Sequence, residues 1–347
     1  MEREVQRVYR EITGRKLAYL SVIAGVLIVA TLIDVLTGPA WLSIREVVWA
    51  ILSPATSDPT VGVIVWIIRL PVALMAIVVG AALGVAGAEM QTILGNPLAS
   101  PYTLGVSAAA GFGAALAVVL GVGVIPHAEE FLVPMNAFIF SLISCLAIYF
   151  IARGRQAQKE TIVLAGIAIL FLFHSLLALL QYLATEDQLQ AVVFWLFGSL
   201  MKATWTKLFI VSAVLFVVTP LFSRDAWKLT ALRLGDEKAR SLGIDVERLR
   251  LKAFIGVSIL TATAVCFVGT IGFVGLVAPH ISRMLVGEDQ RYFLPLSALS
   301  GALLLSAASV GSKLIVPGTV FPIGIVTSFV GVPFFFSLIL TRKGGYW

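Results

Sequence analysis

The sequence predicts an all-α polytopic membrane protein with about ten transmembrane helices. Three observations carry this prediction. Mean hydropathy is +0.99, with 59% hydrophobic and only 13% charged residues, which is outside the range of water-soluble globular chains. Apolar stretches of about 20 residues, the length that crosses a bilayer as a helix, recur from Leu17 almost to the C-terminus. The short alternating strands of a membrane barrel are absent, which leaves helices, whose backbone groups are satisfied within the segment.

The first span, 17–36, follows a tail that mixes acid and base. No small-residue cleavage site follows its apolar run, so it reads as a retained anchor. Residues 37–68, with Pro39, Pro54 and Pro59, read as an irregular outer loop. RLP at 69–71 opens the second span, 70–94, whose Gly80, Gly84 and Gly87 form a small-residue stripe for close helix packing. QTILGNPLASPYTLG, 91–105, carries Gln91, Asn96, Pro97, Pro101 and Gly105. Its Asn-Pro and second proline stop one helix and shape the turn into the next. The turn is uncharged: either another chain covers it, or it is a plain tight turn. Spans follow at 103–125, 132–152 and 161–184. Residues 187–200 have an Asp start and a helical apolar pattern but are too short to cross, which suits a helix lying at the outer mouth. The remaining spans are 205–223, 251–270, a short Gly-rich 272–286 with Gly269 just before it, 293–315 and 322–340. The last opens FPIGIVTSFVGVPFF, where Pro322 fixes the start and Pro333, helped by Gly331, predicts a kink.

An even number of spans returns both termini to one side, and basic residues give the side. With the N-terminus inside, the inner segments hold Arg3, Arg7, Arg10, Arg15 and Lys16, then Arg153, Arg155 and Lys159, eight basic residues in 224–252, Arg283 and Arg291, and Arg342 and Lys343. Only Arg45, Arg69, Lys202, Lys207 and Lys313 of the 25 remain outside, facing acids such as Asp58, Glu129, Glu130, Glu186 and Asp187. The net charge of +6 is therefore topological and does not point to nucleic acid.

The densest mixed-charge block, LRLGDEKARSLGIDVERLR at 232–250, lies between two hydrophobic halves. Asp236 can cap a helix with Glu237 in its first turn; Ala239 and Leu242 share a face and Gly243 ends it. Asp245 can cap a second helix that continues into the seventh span. Leu232, Leu234, Leu242 and Ile244 form an apolar edge that a merely solvated loop would not need.

Few groups inside the spans carry chemistry. Glu89 lies within the second span near its inner end, where it serves an ion or proton or simply snorkels. His174, Ala178 and Gln181 make one narrow polar strip on the fifth span, which faces a hydrated path or bonds neighbouring helices. His280 follows Pro279 near an inner helix end. Three histidines and two cysteines, Cys145 and Cys266 in apolar spans, suggest neither a metal cluster nor a disulfide. No P-loop pattern occurs, and no cofactor is called for.

RLP, GAALGVAGAEMQ, GNPLASPYTLGVSAAAG, WLFGSL, LGDEKARSLGI, GFVGLVAPHISRMLVG and FPIG with GVPFF occur in this order. Together they resemble the FecCD-type permease family, the membrane subunits of type II ATP-binding cassette importers for iron–siderophore complexes, haem and cobalamin, over essentially the whole chain. The resemblance implies a homodimer with the path on its axis and an inverted pseudo-repeat of the helices. It also implies two cytoplasmic ATP-binding subunits and an extracytoplasmic substrate-binding protein, with ATP hydrolysis carried by the partner and not by this chain. On that pattern Leu234, Gly235, Asp236, Glu237, Ala239, Arg240, Leu242 and Gly243 form the coupling segment, and Arg69 and Lys313 match basic residues that dock the binding protein. Gln91, Asn96, Pro97, Gly105, Pro279, His280, Pro322 and Gly324 mark the helix turns. The chain departs from the pattern at Val72, where a second Arg is common, at Ser309, where an acid is common, at Val320-Phe321 in place of Glu-Leu, and at His174 in place of a small residue. Alternative readings are an importer of a small oxyanion such as molybdate and an ion-coupled secondary transporter, for which only Glu89 offers a relay group. A membrane-embedded enzyme finds no support, since no paired Ser/His or H-E-x-x-H arrangement occurs.

Overall fold

The computed structural model describes residues 2–40, 42–54, 57–122, 131–155, 158–316 and 318–341. Glu129, Glu130, Arg342, Lys343 and the end of the third expected span lie outside the described residues.

The described chain is helical throughout. In order come α1 (Glu2–Leu36), α2 (Ile44–Leu52), α3 (Pro59–Val63), a π turn (Ile64–Arg69), α4 (Leu70–Leu94), a 3-10 turn (Pro101–Leu104) and α5 (Val106–Leu120). Then follow α6 (Leu132–Arg153), α7 (Lys159–Leu183), α8 (Glu186–Leu196), α9 (Trp205–Arg224), α10 (Ala226–Leu232) and α11 (Asp236–Ser241). The chain closes with α12 (Val246–Val268), α13 (Val274–Val286), α14 (Gln290–Leu314) and α15 (Ile323–Thr341). Seven helices are long and apolar enough to cross a bilayer, and three shorter apolar ones, Val106–Leu120, Val274–Val286 and Ile323–Ser337, fall on the third, eighth and tenth expected spans.

The first correction concerns 37–68, which is not an irregular loop. Ser43 and Glu46 form a reciprocal capping box that starts α2, and Asp58 caps α3 with Pro59 at its first position. From Pro59 the helix runs on to Leu94 without a break, so RLP lies inside a helix and does not open one. A proline at a helix start costs no hydrogen bond, which is why proline count misjudged this stretch. Similarly, α8 is capped by Thr185 with Gln188, two residues before the expected Asp187 start. The second span ends at Gly95, in the left-handed conformation (φ 59°), and not at the Asn-Pro that follows.

α4 is the axis of the molecule: from Val79 to Leu94 every residue is buried. It is held by backbone-to-backbone approach. A Cβ on Gly80 or Gly84 would overlap the carbonyls of Gly301 and Ser297 on α14, and one on Gly87 would overlap the Gly275 carbonyl on α13. The glycine stripe is thus a packing device on two neighbours. Cys145 and Cys266 are both free and buried. α7 and the middle of α1 present exposed large apolar side chains, among them Val22, Ile28, Leu164 and Phe171, which suits helices that face lipid.

Candidate functional site

Within the 232–250 block lie one short helix, α11, and the first turn of α12, and α10 ends at Leu232 where the block begins. Gly235 (φ 98°) is the N-cap of α11, so the expected cap Asp236 is its first helical residue instead. Gly243 (φ 80°) closes α11 as expected, with its N–H donating to the Arg240 carbonyl at 2.9 Å. Asp245 caps α12 as expected, accepting from the Arg248 N–H at 3.0 Å. Ala239 and Leu242 are not buried together: Ala239 is fully buried, while Leu242, at the C-cap, is 50% exposed. The apolar edge divides in the same way. Leu232 and Ile244 join the core, and Leu234 (58% exposed) and Leu242 remain on the surface beside the exposed Glu237 and Arg240.

Asp236 has a different task. Arg250, only 2% exposed, donates from Nη2 to both Asp236 carboxylate oxygens at 2.9 Å and from Nε to the Ile93 carbonyl at the end of α4, also at 2.9 Å. Lys159 at the start of α7 adds an ion pair to Asp236 at 3.4 Å. Partial burial alone would raise the Asp236 carboxyl, but the Arg250 hydrogen bonds and charge, with Lys159, hold it below the ordinary aspartate value. A second chain of polar contacts runs parallel. Arg233 donates from Nε to Glu288 at 2.9 Å, Glu288 pairs with Arg283 at 3.0 Å, and Arg283 donates to the Gln91 side chain on α4 at 2.8 Å. Gln290 reaches the Thr92 hydroxyl at 2.8 Å. Two charge-assisted routes therefore tie the surface block to the C-terminal end of α4.

The turn after α4 is built by small hydrogen bonds. Asn96 donates its N–H to the Gln91 carbonyl at 3.1 Å and accepts from the Leu98 N–H at 2.9 Å. Pro97 lies within this turn. Gly105 (φ 81°) passes close to α7, where an added Cβ would meet the Leu170 nitrogen at 2.8 Å. Leu98 and Tyr102 stay exposed, so the turn lies open just beyond the end of α4.

Two non-helical stretches, 197–204 and 269–273, meet the first turn of α15. The Ser199 N–H donates to the Val268 carbonyl at 2.7 Å, that of Ile323 to Gly198 at 3.3 Å, and that of Gly324 to Phe197 at 3.0 Å. The Thr270 hydroxyl donates to the Leu196 carbonyl. Gly324 has no room for a Cβ between the Phe197 and Thr270 carbonyls. Phe273 (φ 66°) is the one non-glycine residue with positive φ among those described, and its ring fills the notch left by Gly331. On the side of the 3-10 turn lies a cavity of about 620 Å³ lined by Tyr102, Thr103, Phe273, Leu276 and Ser328. Toward the α8 end lies another of about 500 Å³ lined by Trp195, Lys202, Lys207, Phe267 and Phe321. Irregular backbone at membrane depth is tolerated where it is buried in protein or lines a cavity, and this junction separates two.

The expected site residues divide between these places. Pro322 precedes α15 and Gly324 forms part of the junction; α15 continues through Pro333. Pro279 and His280 are buried in α13, the His280 ring standing edge-on to Phe334 with centroids 5.8 Å apart. His174 and Ala178 are exposed and Gln181 half-buried on α7, and none of the three lines either cavity. Glu89 is fully buried in α4, and neither carboxylate oxygen has a hydrogen-bond partner among the described residues.

Arg69 and Lys313, expected to dock a binding protein, are both buried. Arg69, 4% exposed, donates to the Val35 and Leu36 carbonyls at 3.0 and 2.9 Å and also to the Ala40 carbonyl, capping the end of α1. Lys313, 8% exposed, bonds both the Asp34 carbonyl and its carboxylate at 2.9 Å. Ser309 donates to the other Asp34 oxygen at 3.0 Å. The acid absent from position 309 is supplied from α1. Sequence reasoning missed Asp34, Glu288 and the bridging role of Arg250; the available signal was that a charge within or beside a span needs a partner.

The match to the FecCD transport family covers residues 26–341. The chain belongs to this family. The hemin transport system permease protein HmuU of Yersinia pestis is 38% identical, covering 80% of this chain and 84% of that protein. The Fe(3+)-citrate import system permease protein YfmE of Bacillus subtilis is 35% identical, covering 94% of this chain and 95% of its own length. Among solved structures, an inward-facing metal-chelate type ABC transporter superposes with a TM-score of 0.81 at 28% identity, covering 94% of this chain and all of that one. As a FecCD permease the chain is a multi-pass membrane transport protein, and the all-α permease fold expected from its sequence is the fold it has.

Proposed function

We propose that this chain is one of two identical permease subunits of an ATP-driven importer for an iron chelate, haem or cobalamin, a single transmembrane domain with both termini cytoplasmic. The observation that carries the reading is the coupling block: an exposed tip of Leu234, Glu237, Arg240 and Leu242 whose base is bonded through Asp236 and Arg250 to the end of α4. An apolar pair rimmed by charge suits a protein partner, here the cytoplasmic ATPase. Force on the tip passes through Arg250 to α4 and through α4 to the α14 and α13 backbones it touches. The open turn with Leu98 and Tyr102 extends the same face. Paired across a dimer axis, the two cavities and the junction between them provide an outer vestibule, a gate and an inner vestibule. The His174 strip faces either the second subunit or lipid. A substrate-binding protein delivers cargo at the α8 end, with contacts other than the buried Arg69 and Lys313.

The test is uptake in proteoliposomes. The reading expects cargo accumulation only with the ATPase, the binding protein and ATP all present. Uptake by this chain alone under a proton or sodium gradient, abolished by Glu89→Gln, would favour the ion-coupled alternative that the unpartnered Glu89 carboxyl raises. Cargo is decided by which ligand the cognate binding protein retains, with molybdate as the oxyanion control.

A further inference from the structure

A further cleft lies away from both vestibules. It has a volume of about 690 Å³ and opens between the inner ends of α6, α9 and α12. Part of its lining is apolar, with Val218, Leu221 and Phe222 from α9 and Ile255 and Ile259 from α12. Its other end is charged and includes Arg153, Arg248 and Lys252. The flanks belong to helix faces with large exposed apolar side chains, Phe150 on α6 and Phe216 and Val217 on α9. The cleft therefore opens sideways toward acyl chains. Tyr149 in its wall and the exposed Trp227 at the start of α10 mark the level at which amphipathic rings sit, the headgroup region.

Charges at that end are unevenly matched. Asp225 is shared by two ammonium groups, Lys228 at 3.2 Å and Lys252, so this cluster stays positive. Arg248 and Asp245 balance each other at 3.0 Å. Arg153 is exposed and has no ion-pair partner among the described residues. Glu247 is the remaining acid in the lining; the lining itself is balanced, and Lys228, just outside it on Asp225, leaves one net positive charge at this end. Basic pockets between helices at the inner face suit anionic lipid headgroups.

We propose that this cleft binds an anionic phospholipid of the inner leaflet, its phosphate between Arg153 and Lys252 and an acyl chain along Leu221, Phe222, Ile255 and Ile259. The site touches the first turns of α12, next to the coupling block, so a bound lipid braces the base of that block from the membrane side.

Native mass spectrometry of the full chain released from detergent, offered equal amounts of phosphatidylglycerol and phosphatidylcholine, tests this. The expected result is several-fold more retained phosphatidylglycerol. That preference is lost in Arg153→Gln, an exposed position that folding does not need, and kept in Arg45→Gln at the opposite end. Ile255→Trp fills the apolar part and lowers retention with no change of charge. Equal retention of the two lipids overturns the proposal, as does a preference that survives both Arg153→Gln and Ile255→Trp. Displacement of phosphatidylglycerol by millimolar inorganic phosphate would make this an anion site and overturn the lipid assignment.

Discussion

At the scale of single residues, the charges inside this chain are placed by their partners. Arg250 satisfies an α4 carbonyl and the Asp236 carboxylate at once. Hydrogen bonds to charged groups contribute about 1.5–3 kcal/mol. Arg250→Ala therefore lowers unfolding stability by about 2–3 kcal/mol, read as a lower melting temperature in detergent. The Asp236 carboxyl is held below its ordinary value in the folded chain. Its stabilisation is thus present above the unfolded aspartate value of about 3.9 and is lost as pH falls through the lower folded value. The melting-temperature gap between the parent chain and Asp236→Asn should be constant from neutral pH to about pH 5 and close in stronger acid. Lys313 and Asp34 are a buried pair, where removing one partner costs about 3–5 kcal/mol while an apolar replacement of both is far milder. Asp34→Leu and Lys313→Met should each destabilise strongly, and the double variant should melt above either single one.

At the scale of elements, periodicity and hydropathy made most of the bundle legible. The caps at Asp245 and Gly243 could be read because capping chemistry is local. The 37–68 stretch could not. Its helices start on Ser43 and Pro59, and the same residues also fit turns; only the contact with α1 through Arg69 distinguishes the two. Asp236 was misjudged for the opposite reason, since a strong local cap signal was overridden by a distant arginine. The path was illegible because the junction of 197–200, 269–273 and 322–324 joins segments far apart in sequence through backbone atoms, which side-chain patterns do not encode. The α4–α14 contact gives the prediction at this scale. Gly84→Leu puts a side chain against the Ser297 carbonyl, and overpacking costs about 1–3 kcal/mol even where side chains can yield. Here backbone must part, so the variant should fail to accumulate as folded protein, whereas Gly121→Ala, whose site is open, should cost only the strain of its positive φ.

At the scale of the whole molecule, the account joins three places: an exposed tip bonded to the C-terminal end of α4, glycine contacts along its length, and a junction between two cavities. The sequence resemblance pointed to the tip from its motif, and the structure adds the route by which the tip reaches α4. The central claim is that this tip receives the partner ATPase, and site-directed crosslinking tests it most directly. With cysteine at Arg240 in a chain whose native Cys145 and Cys266 are buried, the assembled complex should yield a crosslink to the ATPase whose efficiency changes between the nucleotide-free and ATP-bound states. Cysteine at Arg45, at the opposite end, should yield none. An intact complex by size-exclusion chromatography with no crosslink from position 240 in either state would contradict the account.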